Sequence, residues 1–109
     1  MKRFHFLNAP IEKGDDYKIW GNGDFECWSW IVKNGETYEV DFYYPDKIKG
    51  NNEPNITSIS IAPFYNNHVA VMYTISTARD HLKIFLSDEN GDMIKEGQSL
   101  FVNIKGKIN

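Results

Sequence analysis

Hydrophobic and polar residues alternate with a period of two along most of the chain, and no segment keeps a convincing helical period. This alternation predicts β-strands, because successive side chains of a strand point to opposite faces. Evenly spaced turns separate about seven to eight predicted strands. The segments are KRFHFLN, the two halves of residues 25–44, ITSISIAP, HVAVMYTIS, HLKIFLS, MIKEG and SLFVNIKG, and the connection at residues 8–24 has room for a short strand around Tyr17 to Trp20.

Residues 25–44 give the strongest local signal, which predicts a β-hairpin. Asn34-Gly35 lies between two alternating runs, and this dipeptide is favoured in two-residue type I′ turns. The turn would set position 33 opposite position 36 and so fix the register of both strands. On the predicted core face, Phe25, Cys27, Ser29 and Ile31 oppose Tyr44, Phe42, Val40 and Tyr38. On the other face, Glu26 opposes Tyr43, Trp28 opposes Asp41, Trp30 opposes Glu39 and Val32 opposes Thr37.

The later strands also have a predicted core face. One face of HVAVMYTIS carries Val69, Val71, Tyr73 and Ile75, and Ile59 and Ile61 share a face of the strand before it. Asn90-Gly91 predicts a second turn, within DENGD. Residues 8–24 are predicted to be a long irregular connection, of a length that is often functional. The remaining core residues are expected to be Leu82, Ile84, Leu86, Leu100, Val102 and Ile104.

These elements predict a single β domain over residues 1–109, with an antiparallel sandwich as the fold class and a small β-barrel as the alternative. The last three strands resemble the end of a bacterial immunoglobulin-like domain, where an Asn-Gly turn leads to GQSLFVNI. Trp28 and Trp30 lie near the place where such folds carry a core tryptophan, although the cysteine pair of those folds is absent. The resemblance implies an immunoglobulin-like sandwich.

Composition indicates a soluble protein of the reducing cytoplasm. The chain of 109 residues is 41% hydrophobic and 25% charged, and it lacks the long apolar run of a membrane span. Its N-terminal MKRFHFLNAP has no apolar region of the secretory type. The single cysteine, Cys27, lies in a predicted strand and fits a buried hydrophobe better than a nucleophile.

Charge is unevenly distributed along the chain and indicates the kind of partner. The net charge is −3, but the first 46 residues alone contain nine acids and five bases, which gives −4. An acidic half of this kind argues against nucleic acid as a partner and favours a protein with a basic surface. Neither a nucleic acid nor a membrane is therefore expected as a partner, and the oligomeric state stays open.

No motif in the chain indicates an enzyme, a metal site or a cofactor. His5, His68 and His81 lack metal-ligand spacing to one another and to Cys27. DENGD lacks the closing glutamate of a calcium loop, and GNGDFE lacks the lysine and helix of a phosphate cradle. Paired carboxylates also serve glycoside hydrolysis, but carboxylates on a strand face are usually solvated. A non-catalytic protein without cofactors is predicted.

The predicted contact surface is the second face of the hairpin. Trp28, Trp30 and Tyr43 share this face with carboxylates, which would each cost several kcal/mol if they were buried unpaired. A half-exposed aromatic surface with an acidic rim is therefore predicted, and burial of the same face by a second sheet is the alternative. The complete set of predicted partner-binding residues is Trp20, Asp24, Glu26, Trp28, Trp30, Glu39, Asp41 and Tyr43.

The profile of a small, acidic, β-rich protein resembles the immunity proteins of bacterial toxin systems. That resemblance implies an inhibitor that neutralises a cognate toxin, commonly a basic nuclease, by covering its active site. Tryptophan and tyrosine are common interface anchors, and carboxylates complement lysine and arginine. One alternative is a carbohydrate-binding domain, in which sugars stack on Trp28, Trp30 and Tyr43. Another is an assembly domain whose exposed strands mediate oligomerisation.

Overall fold

The computed structural model describes residues 9–63 and 68–108, which form eight β-strands and no α-helix. The predicted first strand, KRFHFLN, lies outside the described residues. Within them, no helix is long and apolar enough to cross a membrane. The strands are β1 Glu12–Lys13, β2 Tyr17–Ile19, β3 Asp24–Val32, β4 Glu39–Tyr43, β5 Asn55–Pro63, β6 Val71–Thr77, β7 His81–Ser87 and β8 Ser99–Lys107.

The strands form two antiparallel sheets, so the prediction of an all-β antiparallel fold is confirmed. The large sheet has the order β1-β2-β3-β8-β5, and the small sheet has the order β4-β7-β6. Neither sheet closes on itself, and the barrel alternative is therefore wrong. β8 follows all the other described strands in sequence, yet it lies between β3 and β5. The predicted strand MIKEG is also wrong, since residues 93–97 form no strand.

The predicted hairpin does not form, because its two halves belong to different sheets. β3 pairs with β8 along its whole length, from Asp24 opposite Lys107 to Val32 opposite Ser99. β4 pairs with β7 instead. The predicted cross-strand pairs of Trp28 with Asp41 and of Trp30 with Glu39 are therefore wrong, as is the pair of Glu26 with Tyr43.

The Asn-Gly segment crosses between the sheets because Lys33 continues the β3–β8 ladder. The Lys33 amide donates to the Gln98 carbonyl at 2.8 Å, and its carbonyl accepts from the Gly97 amide at 2.8 Å. Next along the chain, the Gly35 amide donates to the Glu96 carboxylate at 2.7 Å. Gly35 has a φ of +69°, a left-handed conformation that glycine adopts readily. These bonds hold the segment against residues 96–98, so it does not fold back on β3.

The Lys33 side chain stabilises this crossover from within. It is only 1% exposed, and its ammonium donates to the carbonyls of Asn34 at 3.1 Å and Gly35 at 2.8 Å. The Thr37 hydroxyl accepts a third bond at 3.3 Å. Burial of the ammonium lowers the pKa of Lys33. The hydrogen bonds of Lys33 thus stabilise the loop that connects β3 with β4.

One hydrophobic core lies between the two sheets, and most of its residues are predicted correctly. The two halves of the predicted hairpin do bury alternate residues, but their buried faces meet across the core. Tyr38, predicted to be in the core, is 45% exposed, and Ser29 is exposed. The buried hydrophobic residues are Ile19, Phe25, Cys27, Val40, Phe42, Tyr44, Ile48, Leu82, Ile84, Leu86, Ile94, Leu100, Val102 and Ile104.

β6 departs from its predicted core face. A register shift between Met72 and Thr74 interrupts its pairing with β7. Val71, Met72 and Tyr73 are all exposed as a result, and only Ile75 packs against the core. β6 and β7 are neighbours in the small sheet, whereas β5 forms the edge of the large one.

Candidate functional site

β3 and β4 lie side by side at one margin of the two sheets without pairing. β2 pairs with β3 only from Phe25 to Cys27. The last backbone bond on that side is donated by the Trp28 amide to the Asp16 carbonyl at 3.0 Å. Among the described residues, β4 pairs with β7 only. The second half of β3 and the whole of β4 therefore border a shared open margin.

Two adjoining grooves occupy this margin, and Tyr43 lines both of them. One has a volume of about 420 Å³ and contains Trp28 and Tyr17 in its wall. The other has a volume of about 350 Å³ and contains Val32, Glu39 and Asp41 in its wall. We call the two together the acidic groove. Its lining residues are Asp16, Tyr17, Trp28, Ser29, Ile31, Val32, Asn34, Thr37, Glu39, Val40, Asp41, Phe42, Tyr43, Tyr44, Pro45, Asp46 and Lys47.

The lining of the acidic groove has a negative excess, although Lys49 and Lys83, which lie outside the lining, pair with Asp46 and with Glu39 and Asp41. Four carboxylates, those of Asp16, Glu39, Asp41 and Asp46, stand against the single ammonium of Lys47, giving a formal charge of −3. No other described cavity has this balance. The largest contains two carboxylates and one ammonium in its wall. The groove is therefore the cavity best suited to a basic ligand.

Lys83 holds two of these carboxylates in place from the neighbouring strand. Its ammonium lies 3.0 Å from Asp41 Oδ1 and 3.2 Å from Glu39 Oε1. Hydrogen bonds to Asp41 and then Glu39 raise the pKa of Lys83 above its usual range, so the lysine stays charged. One positive charge between two negative ones leaves a net negative charge on the outer face of the small sheet.

The aromatic residues of the groove lie at its rim. Tyr43 is 65% exposed, and its ring centroid lies 5.3 Å from that of His81. A hydrogen bond between His81 Nδ1 and Asp80 Oδ1, at 2.8 Å, lowers the pKa of Asp80. Trp28 is half-buried, and the Lys18 ammonium lies 5.9 Å from the centre of its ring. A partner chain can thus contact both rings without a rearrangement of the core.

The outer face of the large sheet carries a second group of predicted residues. Glu26, Trp28 and Trp30 follow one another along β3 on this face. Trp30 is 53% exposed, and its ring centroid lies 5.0 Å from that of Phe101 on β8. The Asn103 amide donates to Glu26 Oε2 at 2.9 Å. We call Trp28, Trp30, Phe101, Asn103 and Glu26 the outer aromatic face.

The outer aromatic face shares Trp28 with the acidic groove, but the charges around its other residues differ. Glu26 lies opposite Lys18 on β2 and opposite Lys105 on β8. Two lysines thus flank this one carboxylate, and the outer aromatic face has no acidic rim. The predicted combination of two tryptophans with three carboxylates on one face is therefore not present.

The other predicted residues lie at a third place. Trp20, Asp24 and Glu26 line the largest described cavity, of about 1050 Å³, together with Ile11 and Lys105. The structure thus divides the predicted surface among three places. Glu39, Asp41, Tyr43 and Trp28 meet in the acidic groove, which is the largest group that remains together.

Asp16 and Asp46 belong to the acidic groove and were not among the predicted residues. Asp16 precedes β2, and Asp46 follows β4 by three positions. They approach each other only because β2 pairs with β3 while β4 crosses to the other sheet. No local pattern carries that information.

A cluster of possible metal ligands lies outside the groove. His68, Asp88 and Glu89 each offer a ligand atom, and these atoms lie within 4.8 Å of one another. Sequence spacing gave no sign of this cluster. However, Glu89 already accepts bonds from His68 Nδ1 and from the Val69 amide. The Val69 amide first and then His68 lower the pKa of Glu89 to about 2. The bonds of Glu89 therefore connect the segment just before β6 with the segment just after β7.

The DENGD turn is confirmed, and Asp88 organises it. Asp88 Oδ1 accepts from the Asn90 amide at 2.8 Å and from the Asp92 amide at 2.9 Å. The Asp88 amide donates to the Asp92 carbonyl at 2.8 Å. The Asn90 and Asp92 amides therefore occupy Asp88 Oδ1, an oxygen that would bind the ion in a calcium loop.

Cys27 is fully buried in the core, in agreement with its predicted role as a buried hydrophobe. Burial is the main cause that raises the pKa of its thiol to about 12, and Asp16 and Glu26 add to it. The thiol is therefore protonated at neutral pH, whereas a reactive cysteine needs the thiolate.

Comparison of the chain with protein-family models, with curated proteins and with solved structures finds no match. The acidic groove and the outer aromatic face are therefore the basis for assigning a function.

Proposed function

We propose that this protein is a non-catalytic inhibitor that binds a basic protein partner, such as a bacterial toxin, through the acidic groove. One observation carries the proposal. The groove combines four carboxylates and one ammonium with the accessible rings of Trp28 and Tyr43. Aromatic anchors supply binding energy in protein interfaces, and carboxylates steer and select a lysine- and arginine-rich surface.

The backbone of β4 supports a protein partner over a small ligand. The Tyr38 carbonyl accepts from the Leu86 amide, and the Tyr44 amide donates to the Asp80 carbonyl. Because backbone groups alternate in direction along an antiparallel strand, Asp41 and Tyr43 turn their amides and carbonyls towards the groove. An extended segment of a partner has main-chain groups that match such an edge.

We also propose a specific fold class and a cellular compartment. We propose that the two sheets are an immunoglobulin-like sandwich, supported by eight strands in two antiparallel sheets with the core between them. The chain contains one cysteine, so it lacks the disulfide of secreted members of that class. A reducing cytoplasm fits this cysteine usage.

Charge reversal at the groove tests the proposed function. Asp16→Lys combined with Asp46→Lys changes two exposed carboxylates of the groove without touching Lys83. The matched control, Asp24→Lys with Asp92→Lys, makes the same change in net charge at exposed positions elsewhere. The probes are basic bacterial nucleases, beginning with any toxin encoded beside this gene, and calorimetry measures their affinity.

We expect the groove variant to bind at least ten-fold more weakly, and the control to bind like the wild-type protein. Tyr43→Ala should also weaken binding, because it removes an aromatic anchor. Equal affinities of the two double variants would refute the role of the groove. Failure of every basic nuclease to bind would refute the toxin-inhibitor function itself.

The outer aromatic face favours carbohydrate binding as a second candidate function. Trp30 and Trp28 present rings beside the amide of Asn103 and the carboxylate of Glu26, and sugars commonly stack on rings beside such hydrogen-bonding groups. A soluble oligosaccharide should then quench tryptophan fluorescence in the wild-type protein and in Trp20→Ala, but not in Trp28→Ala with Trp30→Ala. A flat titration of the wild-type protein across a glycan panel would contradict this candidate.

A further inference from the structure

Residues 54–78 contain no aspartate, glutamate, lysine or arginine. Charged residues make up 25% of the chain, so about six would be expected in a segment of this length. The segment includes both β5 and β6, which are edge strands of the large and the small sheet. Ile56 and Thr77 line one cavity between them, so these edges lie at the same margin, and Glu53 and Arg79 line that cavity just outside the uncharged segment. This margin is opposite the acidic groove, because β4 and β6 are the two ends of the small sheet.

β6 is the more apolar of these two edges. Val71, Met72 and Tyr73 are exposed on it, and Val69 is exposed just before it. The exposed side chains of β5 are small or polar instead, namely Asn55, Thr57, Ser58, Ser60 and Ala62. Among the described residues, β6 pairs with β7 alone.

The backbone of β6 offers hydrogen-bonding groups to a further strand. The Ala78 amide donates to the His81 carbonyl at 2.9 Å, which fixes the alternation of this antiparallel ladder. Thr77 and Ile75 therefore direct their amides and carbonyls away from β7, towards the open margin. The register shift lies between Met72 and Thr74, so the segment from Thr74 to Thr77 is regular.

Proteins usually protect an open strand edge with charged residues, and only some edges of this protein have them. The β4 edge carries Glu39 and Asp41, so pairing of two β4 strands would bring carboxylates together. β1 carries Glu12 and Lys13. β6 has no charged side chain of its own that would oppose pairing with an identical strand, and the nearby Glu53 carboxylate accepts a hydrogen bond from the Thr77 hydroxyl at 2.6 Å.

We propose that β6 is a self-association edge, which pairs antiparallel with β6 of a second copy of the chain about a two-fold axis. The pairing joins two small sheets into one continuous sheet through the regular segment from Thr74 to Thr77, with Ser76 of one copy opposite Ser76 of the other. An isologous contact of this kind needs a strand that is complementary to itself, which an uncharged strand satisfies. The inference is independent of the proposed function, because the acidic groove of each copy stays open at the far edge.

A matched pair of serine substitutions tests the proposal. Ser76 on β6 lies opposite Lys83, and Ser58 on β5 lies opposite Lys105. Ser76→Glu therefore places a carboxylate beside a lysine within each copy, but it brings two carboxylates together across the proposed contact. Ser58→Glu makes the same change beside a lysine on the other edge strand. Sedimentation equilibrium over a wide range of protein concentration measures dimerisation, and thermal unfolding shows whether each variant is folded.

We expect a reversible wild-type dimer, about ten-fold weaker dimerisation for Ser76→Glu, and no change for Ser58→Glu. A wild-type protein that is monomeric at every concentration would overturn the proposal. Equal weakening by both substitutions, or by neither, would also overturn the assignment of the contact to β6.

Hydrogen exchange of the full-length wild-type protein gives a second measurement that does not depend on a variant. The amides of Ile75 and Thr77 should gain protection as the protein concentration rises. Protection that is independent of concentration would mean that another part of the same chain covers β6, and this result too would overturn the proposal.

Discussion

Gly106→Ala is expected to destabilise the protein by forcing apart the strands on either side of β8. Gly106 lies opposite Phe25 of β3 and opposite Ile56 of β5. A Cβ at this position would lie 2.4 Å from the backbone carbonyl oxygen of Asn55. It would also lie 3.0 Å from two carbons of the Phe25 ring. The carbonyl is part of a strand, so it cannot turn away as the tip of a side chain would.

The size of the effect follows from this overlap. Ordinary van der Waals contact begins at 3.4 Å, so the Asn55 oxygen is too close by 3.4 − 2.4 = 1.0 Å. β5 must therefore move away from β8, next to the register shift between Ile56 and Ser58. Overpacking costs about 1–3 kcal/mol, while replacing a strand glycine with alanine normally gains about 0.5–1 kcal/mol. We expect a net loss of about 1 kcal/mol in the free energy of unfolding.

Urea unfolding followed by tryptophan fluorescence measures this loss. Gly50→Ala is the control, because a Cβ at Gly50 meets no atom within 4 Å. The control should change the free energy of unfolding by less than about 0.5 kcal/mol. If Gly106→Ala were as stable as the control, β5 and β8 would not approach each other as closely as described at this position.

Three further predictions concern single side chains. The Glu89 carboxylate has a pKa of about 2 in the folded protein, below its ordinary value of 4.5. Its contribution to stability is therefore complete above pH 4.5, and it is lost as the pH falls through about 2. Glu89→Gln should remove this part of the acid-unfolding curve, and an unchanged curve would contradict the hydrogen bonds of Glu89 with the Val69 amide and His68. Cys27 should react with a thiol reagent only as fast as the protein unfolds, because the thiol is buried and its pKa is about 12. Rapid labelling of the native protein would instead show that the core opens at Cys27. The Tyr44 hydroxyl is buried without a hydrogen-bond partner among the described residues. Tyr44→Phe should therefore raise the free energy of unfolding by up to about 1 kcal/mol. A clear decrease in the free energy of unfolding would instead show that the hydroxyl has a partner.

Alternation in the sequence predicts which way side chains point, and it does so well in the core. Phe25, Cys27 and Phe42 are buried as predicted, and so are Leu82 and Ile84. The reason is that a strand buries alternate residues whichever strand pairs with it. Tyr38 and Ser29 are exposed instead, and β6 departs most, since its register shift interrupts a pattern that would otherwise bury Val71 and Tyr73.

Alternation does not predict which strands are neighbours. The buried faces of β3 and β4 would meet either in one hairpin or across the core, so both arrangements fit the same residues. The choice depends on Lys33, whose backbone bonds to Gln98 and Gly97 extend the pairing with β8. These bonds join positions more than sixty residues apart, and the Asn-Gly dipeptide gives no sign of them.

The candidate site could be predicted only in part for the same reason. Glu39, Asp41 and Tyr43 are alternate residues of one strand, so their common face follows from the sequence. Trp28 joins them at the margin between the sheets, which depends on the crossover. Asp16 completes the groove through the pairing of β2 with β3, which is again a property of the tertiary structure.

The central position of β8 also has a consequence for the folding of the chain during synthesis. β3 and β5 are both made before β8, yet each relies on β8 as its neighbour. Until residue 107 has left the ribosome, the large sheet cannot be completed, and the inner edges of both strands stay open. Pairing across such sequence distances slows folding and leaves nascent strands exposed to aggregation. A ribosome-bound chain that ends before β8 should therefore depend on chaperones, and it should lose that dependence once β8 has emerged.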